Sequence, residues 1–327
     1  MGAIKDNRYV DTKMKISLIA TIIIIFLIAV AMWLSEIDMI EKIDISQIIF
    51  LCILTILPFF IYALTLRVLL EILGIRKSFE KVYLILTASF AANYTIPLKI
   101  GIPLRVYLYK KILGVPIVVG ATSMILEILL WLIIPVSITL IALLTIFPVG
   151  EFIILPILIL ILMILVIFSL FHLDKFLAII PFGKKFMGKI CTEDIFDNLK
   201  RFKKRHVIVI SSAFLSLHII SAIRLFLLFG IYGVNGDILQ ALIIQSISLV
   251  IGTLSLVPMG LGTKDVSLLV LMENLGITTE TAISIVLLER ILTTGVGFLL
   301  GMISISILSL EKLKMNPLKR VHRDSIK

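Results

Sequence analysis

The chain has 327 residues, 60% hydrophobic and 16% charged, and 31 Lys+Arg against 21 Asp+Glu give a net charge of +10. An average soluble domain is about 25% charged, and a fold of this size cannot hide so much apolar surface from water, so a soluble enzyme is excluded and disorder with it. The basic excess alone would suit nucleic acid, but in so apolar a chain it belongs at a membrane, and where it sits becomes informative.

A spanning helix takes about 20 largely apolar residues. After a cytoplasmic N-terminus at 1–15, the run 16–35 has basic residues before it and no small-residue cleavage site behind it, so it reads as a retained helix. The run 47–70 predicts a second span. The run 82–98 is interrupted by Ile96-Pro97-Leu98-Lys99-Ile100-Gly101-Ile102-Pro103, and the arm 104–113 that follows is too short to span. Spans are then predicted at 116–147, 152–171 and 207–232, with a basic segment at 172–206 between the last two. The run 239–257 breaks at Val257-Pro258-Met259-Gly260-Leu261-Gly262, followed by the short arm 266–272. A last span, 280–310, precedes the tail 311–327.

Charge selects the topology. Lys and Arg are concentrated in cytoplasmic loops. If 82–113 and 239–272 are re-entrant hairpins, then the N-terminus, 71–81, Lys110-Lys111, 172–205 and the tail share one face. The opposite face, 36–46, 148–151, 233–238 and 273–280, then carries Lys42 and eight acids. The expectation is an all-α polytopic protein of the cell membrane, with six transmembrane helices, two re-entrant broken-helix hairpins and both termini cytoplasmic.

The two hairpins share a spacing. Pro97 to Gly101 and Pro258 to Gly262 are each four residues, and Gly114 to Glu127 and Gly276 to Glu289 are each thirteen. Arg67 before Gly74 matches Arg224 before Gly230. Segments 47–147 and 207–310 therefore read as an inverted-topology internal repeat of span, hairpin and span. Broken helices at mid-depth in such repeats form the substrate sites of many secondary transporters.

The residues at the breaks suggest why. Pro97, Pro103 and Pro258 cannot donate a hydrogen bond, and Gly101, Gly260 and Gly262 permit tight turns. Half-helix starts attract anions, and Lys99, Arg105, Lys264 and Asp265 stand beside them. Glu127, Glu289 and Arg290 fall about 15 Å into their helices at 1.5 Å per residue, near the middle of a roughly 30 Å core. There each charge needs a partner. Arg105 is the candidate for Glu127; Lys264 or Arg290 is the candidate for Glu289, with Arg67 and Arg224 as further members of the network. The plainer alternatives are internal salt bridges and Pro-kinked helices with no transport role. Gln240, Gln245, Asn93 and Ser248 suit polar lining or helix–helix contacts. No catalytic residue, metal site or cofactor is expected. HExxH, Walker A and GxGxxG are absent, and Cys52, Cys191 and the four histidines have no ligand spacing.

The run Asn93 to Pro97 with Gly101, Arg105 and Gly114 to Glu127, and the run Pro258 to Gly262 with Asp265 and Glu289-Arg290, resemble the two signatures of the lysylphosphatidylglycerol synthase transmembrane-region family. The likeness covers about 15–305. Met259 stands where that family usually has glycine, and Asp265 where it usually has glutamate. The resemblance implies a flippase-like translocator of a phospholipid or polyprenyl-linked lipid with a charged headgroup. It implies membrane lipids as partners, and a separate lipid-modifying enzyme or glycosyltransferase as a further expectation. Neither a synthase nor a glycosyltransferase domain is present. No ATP-binding motif is present, so uphill movement would need an ion gradient or a separate ATPase. A non-transporting membrane subunit is one alternative. An intramembrane lipid-modifying enzyme is the other, with Asp265 and Glu289 its only acid–base candidates.

Overall fold

The computed structural model describes residues 44–95, 101–146, 161, 203–255, 257 and 260–309. Its elements are α1 Ile45–Ile72, α2 Phe79–Thr95, α3 Gly101–Leu108, α4 Ile117–Ile146, α5 Lys204–Ile231, α6 Ile238–Leu254, α7 Thr263–Glu273 and α8 Thr279–Ser309. No strand occurs among the described residues. The helices α1, α4, α5 and α8 are long and apolar enough to cross a membrane, and they fall on the predicted spans 47–70, 116–147, 207–232 and 280–310. The predicted span 16–35, the predicted span 152–171 apart from residue 161, most of segment 172–206, the tail 311–327, and Pro97, Lys99 and Pro258 lie outside the described residues. The architecture is an all-α, multi-pass membrane fold.

Boundaries move slightly from those expected. The helix α5 begins at Lys204, because the Lys203 N–H donates to His206 Nδ1 at 3.1 Å and the His206 N–H to Lys203 O at 2.9 Å, closing a first turn through basic residues. The short arms start early, at Gly101 and Thr263. Pro103 therefore sits in the first turn of α3, where backbone N–H groups have no intrahelical acceptor and proline costs little. It helps to start a helix and does not break one.

The elements have matched lengths. Helices α1 and α5 have 28 residues each, and α2 and α6 have 17 each. Both leading spans end on a glycine at positive φ, Gly74 at 89° and Gly233 at 67°. The next residue folds back in each case, Ile75 N–H to Leu70 O at 2.9 Å and Val234 N–H to Phe229 O at 2.8 Å, which is the Schellman closure that a left-handed glycine permits. Gly230, paired with Gly74 from sequence, lies inside α5; Gly233 does the equivalent work.

Packing interlocks the chain. One core joins Leu66, Leu69, Ile85, Leu86 and Leu130 to Phe214 of α5, and the other joins Leu225, Leu228, Ile244 and Ile285 to Leu51 of α1. Each core thus reaches into the other leading span, the first through Ile210, Phe214 and Leu217 and the second through Leu51. The helix α4 sets Val136 and Leu143 against Val250 of α6. The helix α8 meets α2 through Gly301, where an added β-carbon would overlap Ala91 and lie 2.6 Å from Thr87 O. Thr87 Oγ1 donates to Ser304 Oγ at 2.7 Å beside this contact. Small residues let backbones approach where lipid offers no hydrophobic drive between helices. Two π-helical turns interrupt the regular ladder, Tyr109–Leu113 after α3 and Ile291–Gly295 within α8.

The Gly301 contact predicts an overpacking defect. Gly301→Ala should lower unfolding stability by about 1–3 kcal/mol. Gly230→Ala, which meets nothing within 4 Å, should stay within about 0.5 kcal/mol of the parent. Thermal or denaturant melts of both variants in one detergent check the contrast.

Candidate functional site

Both hairpins are closed by glycine. In the first, Gly101 N–H donates to Asn93 Oδ1 at 2.6 Å, and a β-carbon at 101 would collide with Ser89 O and the Asn93 side chain. In the second, a β-carbon on Gly260 would lie 3.0 Å from Gly252 Cα, and one on Gly252 would lie 2.9 Å from Lys264 Cβ. Ser255 Oγ and Thr263 Oγ1 pair at 2.8 Å across the turn, and Gly262 N–H donates to Asp265 Oδ2 at 2.9 Å at the start of α7. Short polar side chains thus satisfy backbone groups that a broken helix exposes.

The helices that follow carry the buried acids. Glu127 is the tenth residue after the start of α4, and Glu289 the tenth after the start of α8. Arg105 of α3 donates through Nη2 to Glu127 Oε2, and the Tyr62 hydroxyl of α1 donates to Glu127 Oε1. The Arg105 and Glu127 side chains are each only 3% exposed. The Tyr109 hydroxyl is buried in the same electrostatic neighbourhood without a hydrogen-bond partner among the described residues. This cluster pairs one basic with one acidic side chain.

The second cluster is built differently. Arg224 of α5 donates through Nε to Glu289 Oε2 at 2.8 Å and through Nη2 to Oε1 at 2.7 Å. Gln245 Nε2 of α6 adds a third bond to Oε1 at 3.0 Å. The Arg224 and Glu289 side chains are 5% and 3% exposed. A bidentate arginine fork with an amide beside it satisfies the carboxylate. Lys264 is half-buried nearby, and Arg290 Nη2 lies 3.1 Å from Asp265 Oδ2.

The partner expected for Glu127 is the one found. Glu289 is held by Arg224, and not by Lys264 or Arg290. Arg67 is half-buried in α1 and makes no ion pair among the described residues. The residue that reaches a carboxylate from α1 is Tyr62, which stands 65 residues before Glu127 as Arg224 stands 65 before Glu289. That shared interval was the available signal for Tyr62. His218 is buried against Trp131 with ring centroids 6.2 Å apart, and its Nε2 has no hydrogen-bond partner among the described residues. Among the described residues no group of three or more His, Cys, Asp or Glu is placed to hold a metal ion.

Buried pairs are asymmetric in mutation. Glu289→Ala leaves Arg224 charged and alone, which costs about 3–5 kcal/mol. The double variant Arg224→Met/Glu289→Ala should recover most of that loss. Melting temperatures of the two single variants and the double, read as a cycle, check this coupling.

A UPF0104 membrane protein of Methanocaldococcus jannaschii is 25% identical over 91% of this chain and 96% of its own length. Residues 16–301 match the family described as the lysylphosphatidylglycerol synthase TM region. That match takes in every described helix up to the Gly301 contact, both hairpins and both charge clusters, and the chain belongs to the lysylphosphatidylglycerol synthase TM region family.

Proposed function

We propose that this chain is a flippase-like translocator of a phospholipid or polyprenyl-linked lipid with a charged headgroup, working without ATP. In this reading α1–α4 and α5–α8 are inverted repeats, and α2–α3 and α6–α7 are re-entrant hairpins that meet near mid-bilayer. One observation carries it. Each hairpin is followed by a helix whose eleventh residue is a buried glutamate, held by a residue 65 positions earlier on the leading span. The equal helix lengths and the exchange of Leu51 and Phe214 between cores support the same arrangement. Inverted repeats with broken helices provide two related openings around one site. Membership of a family tied to lipid handling supports the class of cargo.

In proteoliposomes, fluorescent phosphatidylglycerol should cross between leaflets at least about tenfold faster than in protein-free vesicles, one decade being about 1.4 kcal/mol of barrier. Dithionite quenching reads that rate. Equal rates with and without protein, across several headgroups, would favour the non-transporting subunit.

Topology gives a separate check. Cysteines placed at 99–103 should label poorly from either side, because a re-entrant tip is covered by protein. Cysteines at 184–185 should label only from the cytoplasmic side. Efficient outside labelling at 184–185 would replace the hairpins with full crossings.

A further inference from the structure

The two charge clusters differ in what they leave open. Glu127 is filled by Arg105 and Tyr62, and Glu289 by Arg224 and Gln245. The position that is Tyr62 in the first cluster is Arg224 in the second, so Glu289 needs no other cation. Lys264 and Arg290 are therefore left over. Against these two basic side chains stands a single acid, Asp265.

The donors of these two cations are unused. The Lys264 ammonium makes no ion pair or hydrogen bond among the described residues. Its root is fixed, because Lys264 Cβ is wedged against the Gly252–Gly260 contact. Arg290 Nε and Nη2 are buried and have no hydrogen-bond partner among the described residues. These two nitrogens form one edge of the guanidinium, the same edge that Arg224 uses to grip Glu289. The Asp265 carboxylate approaches Nη2 at 3.1 Å without the alignment of a hydrogen bond, while its Oδ2 accepts from Gly262 N–H. Asp265 is 23% exposed and Arg290 19%, so the carboxylate has room to turn away. An open bidentate edge beside an ammonium suits a tetrahedral oxyanion.

We infer that Lys264 and Arg290 form a binding site for a phosphate group, and that Asp265 is its resident counter-ion, displaced from Arg290 when the phosphate enters. The inference rests on the translocator reading for its cargo, in which the phosphate is that of a lipid headgroup. Free inorganic phosphate has the same chemistry. Among the described residues the site is single: the first cluster has no spare cation there and positions the hairpin.

The test uses the full chain in dodecyl maltoside, which carries no phosphate. Dioctanoyl phosphatidylglycerol, dioctanoylglycerol and inorganic phosphate are titrated by calorimetry. The phosphatidylglycerol should bind about tenfold or more tightly than dioctanoylglycerol, as expected for charge-assisted hydrogen bonds. Lys264→Gln and Arg290→Gln should each weaken it by about tenfold. Arg76→Gln, which removes an exposed cation, should change nothing. Asp265→Asn keeps an acceptor for Gly262 N–H and removes the competing charge, so it should tighten binding several-fold. A misfolded variant cannot mimic that gain. Inorganic phosphate that competes at millimolar concentration assigns the site to the phosphate alone; binding of the lipid without such competition assigns it to the phosphate in its lipid. Equal affinity for dioctanoylglycerol, or weaker binding in Asp265→Asn, would overturn the site. If the lipid binds as described but does not cross vesicles, the translocator reading falls and the site stands. If the lipid crosses while Lys264→Gln and Arg290→Gln bind normally, the reverse holds.

Discussion

A charge inside hydrocarbon must be met by an opposite charge, and that requirement organises this bundle. Leaving one charge unpaired at the helix centre costs about 2.5–3.5 kcal/mol on insertion scales. Glu289 meets the requirement with three hydrogen bonds from two other helices, α5 and α6. Glu127 meets it with Arg105 from the hairpin arm and Tyr62 from the leading span. In each case the carboxylate ties together a leading span, a closing span and a hairpin helix. Apolar packing alone would hold these helices loosely, because lipid competes equally well for their leucines. The ion pairs supply the direction that the hydrophobic contacts lack.

Small residues supply the distance. The hairpins close only because Gly101, Gly252 and Gly260 have no side chain, and α8 meets α2 only because Gly301 has none. Polar bonds lie beside these contacts, Gly101 N–H to Asn93 and Thr87 to Ser304. Charge pairing and glycine contacts therefore depend on each other. Arg105 reaches Glu127 because Gly101 lets α3 fold back on α2.

Much of this was legible in the sequence. Apolar runs of spanning length gave α1, α4, α5 and α8, since a membrane helix needs little beyond length and hydropathy. Proline and glycine mark the hairpins, and Arg105 is the candidate partner that the sequence offers Glu127. Other features were hidden for physical reasons. Tyr62 carries no charge, so a search for intramembrane charges passes it and finds Arg67 five residues on. The choice of Arg224 over Lys264 for Glu289 depends on side-chain reach between helices far apart in sequence. The positive-φ exit at Gly233 could not be told from nearby Gly230 by spacing. The π turns have no residue code at all.

The π turn at Ile291–Gly295 has a geometric consequence. It follows Glu289-Arg290 directly and precedes Gly297 and Gly301. A regular helix advances about 100° per residue, and a π turn inserts roughly one extra residue into that advance. The carboxylate on one side of the turn and the glycine stripe on the other are therefore indexed separately. Glu289 faces Arg224, while Gly297 abuts Phe59 and Tyr94, and Gly301 abuts Ala91. Tyr94 also reaches the Thr293 carbonyl at 3.5 Å within the turn. The wide turn is a phase shifter: it lets one helix present an electrostatic face to α5 and a steric face to α2. Deleting a single residue between 291 and 295 would leave both faces chemically intact and rotate them out of register.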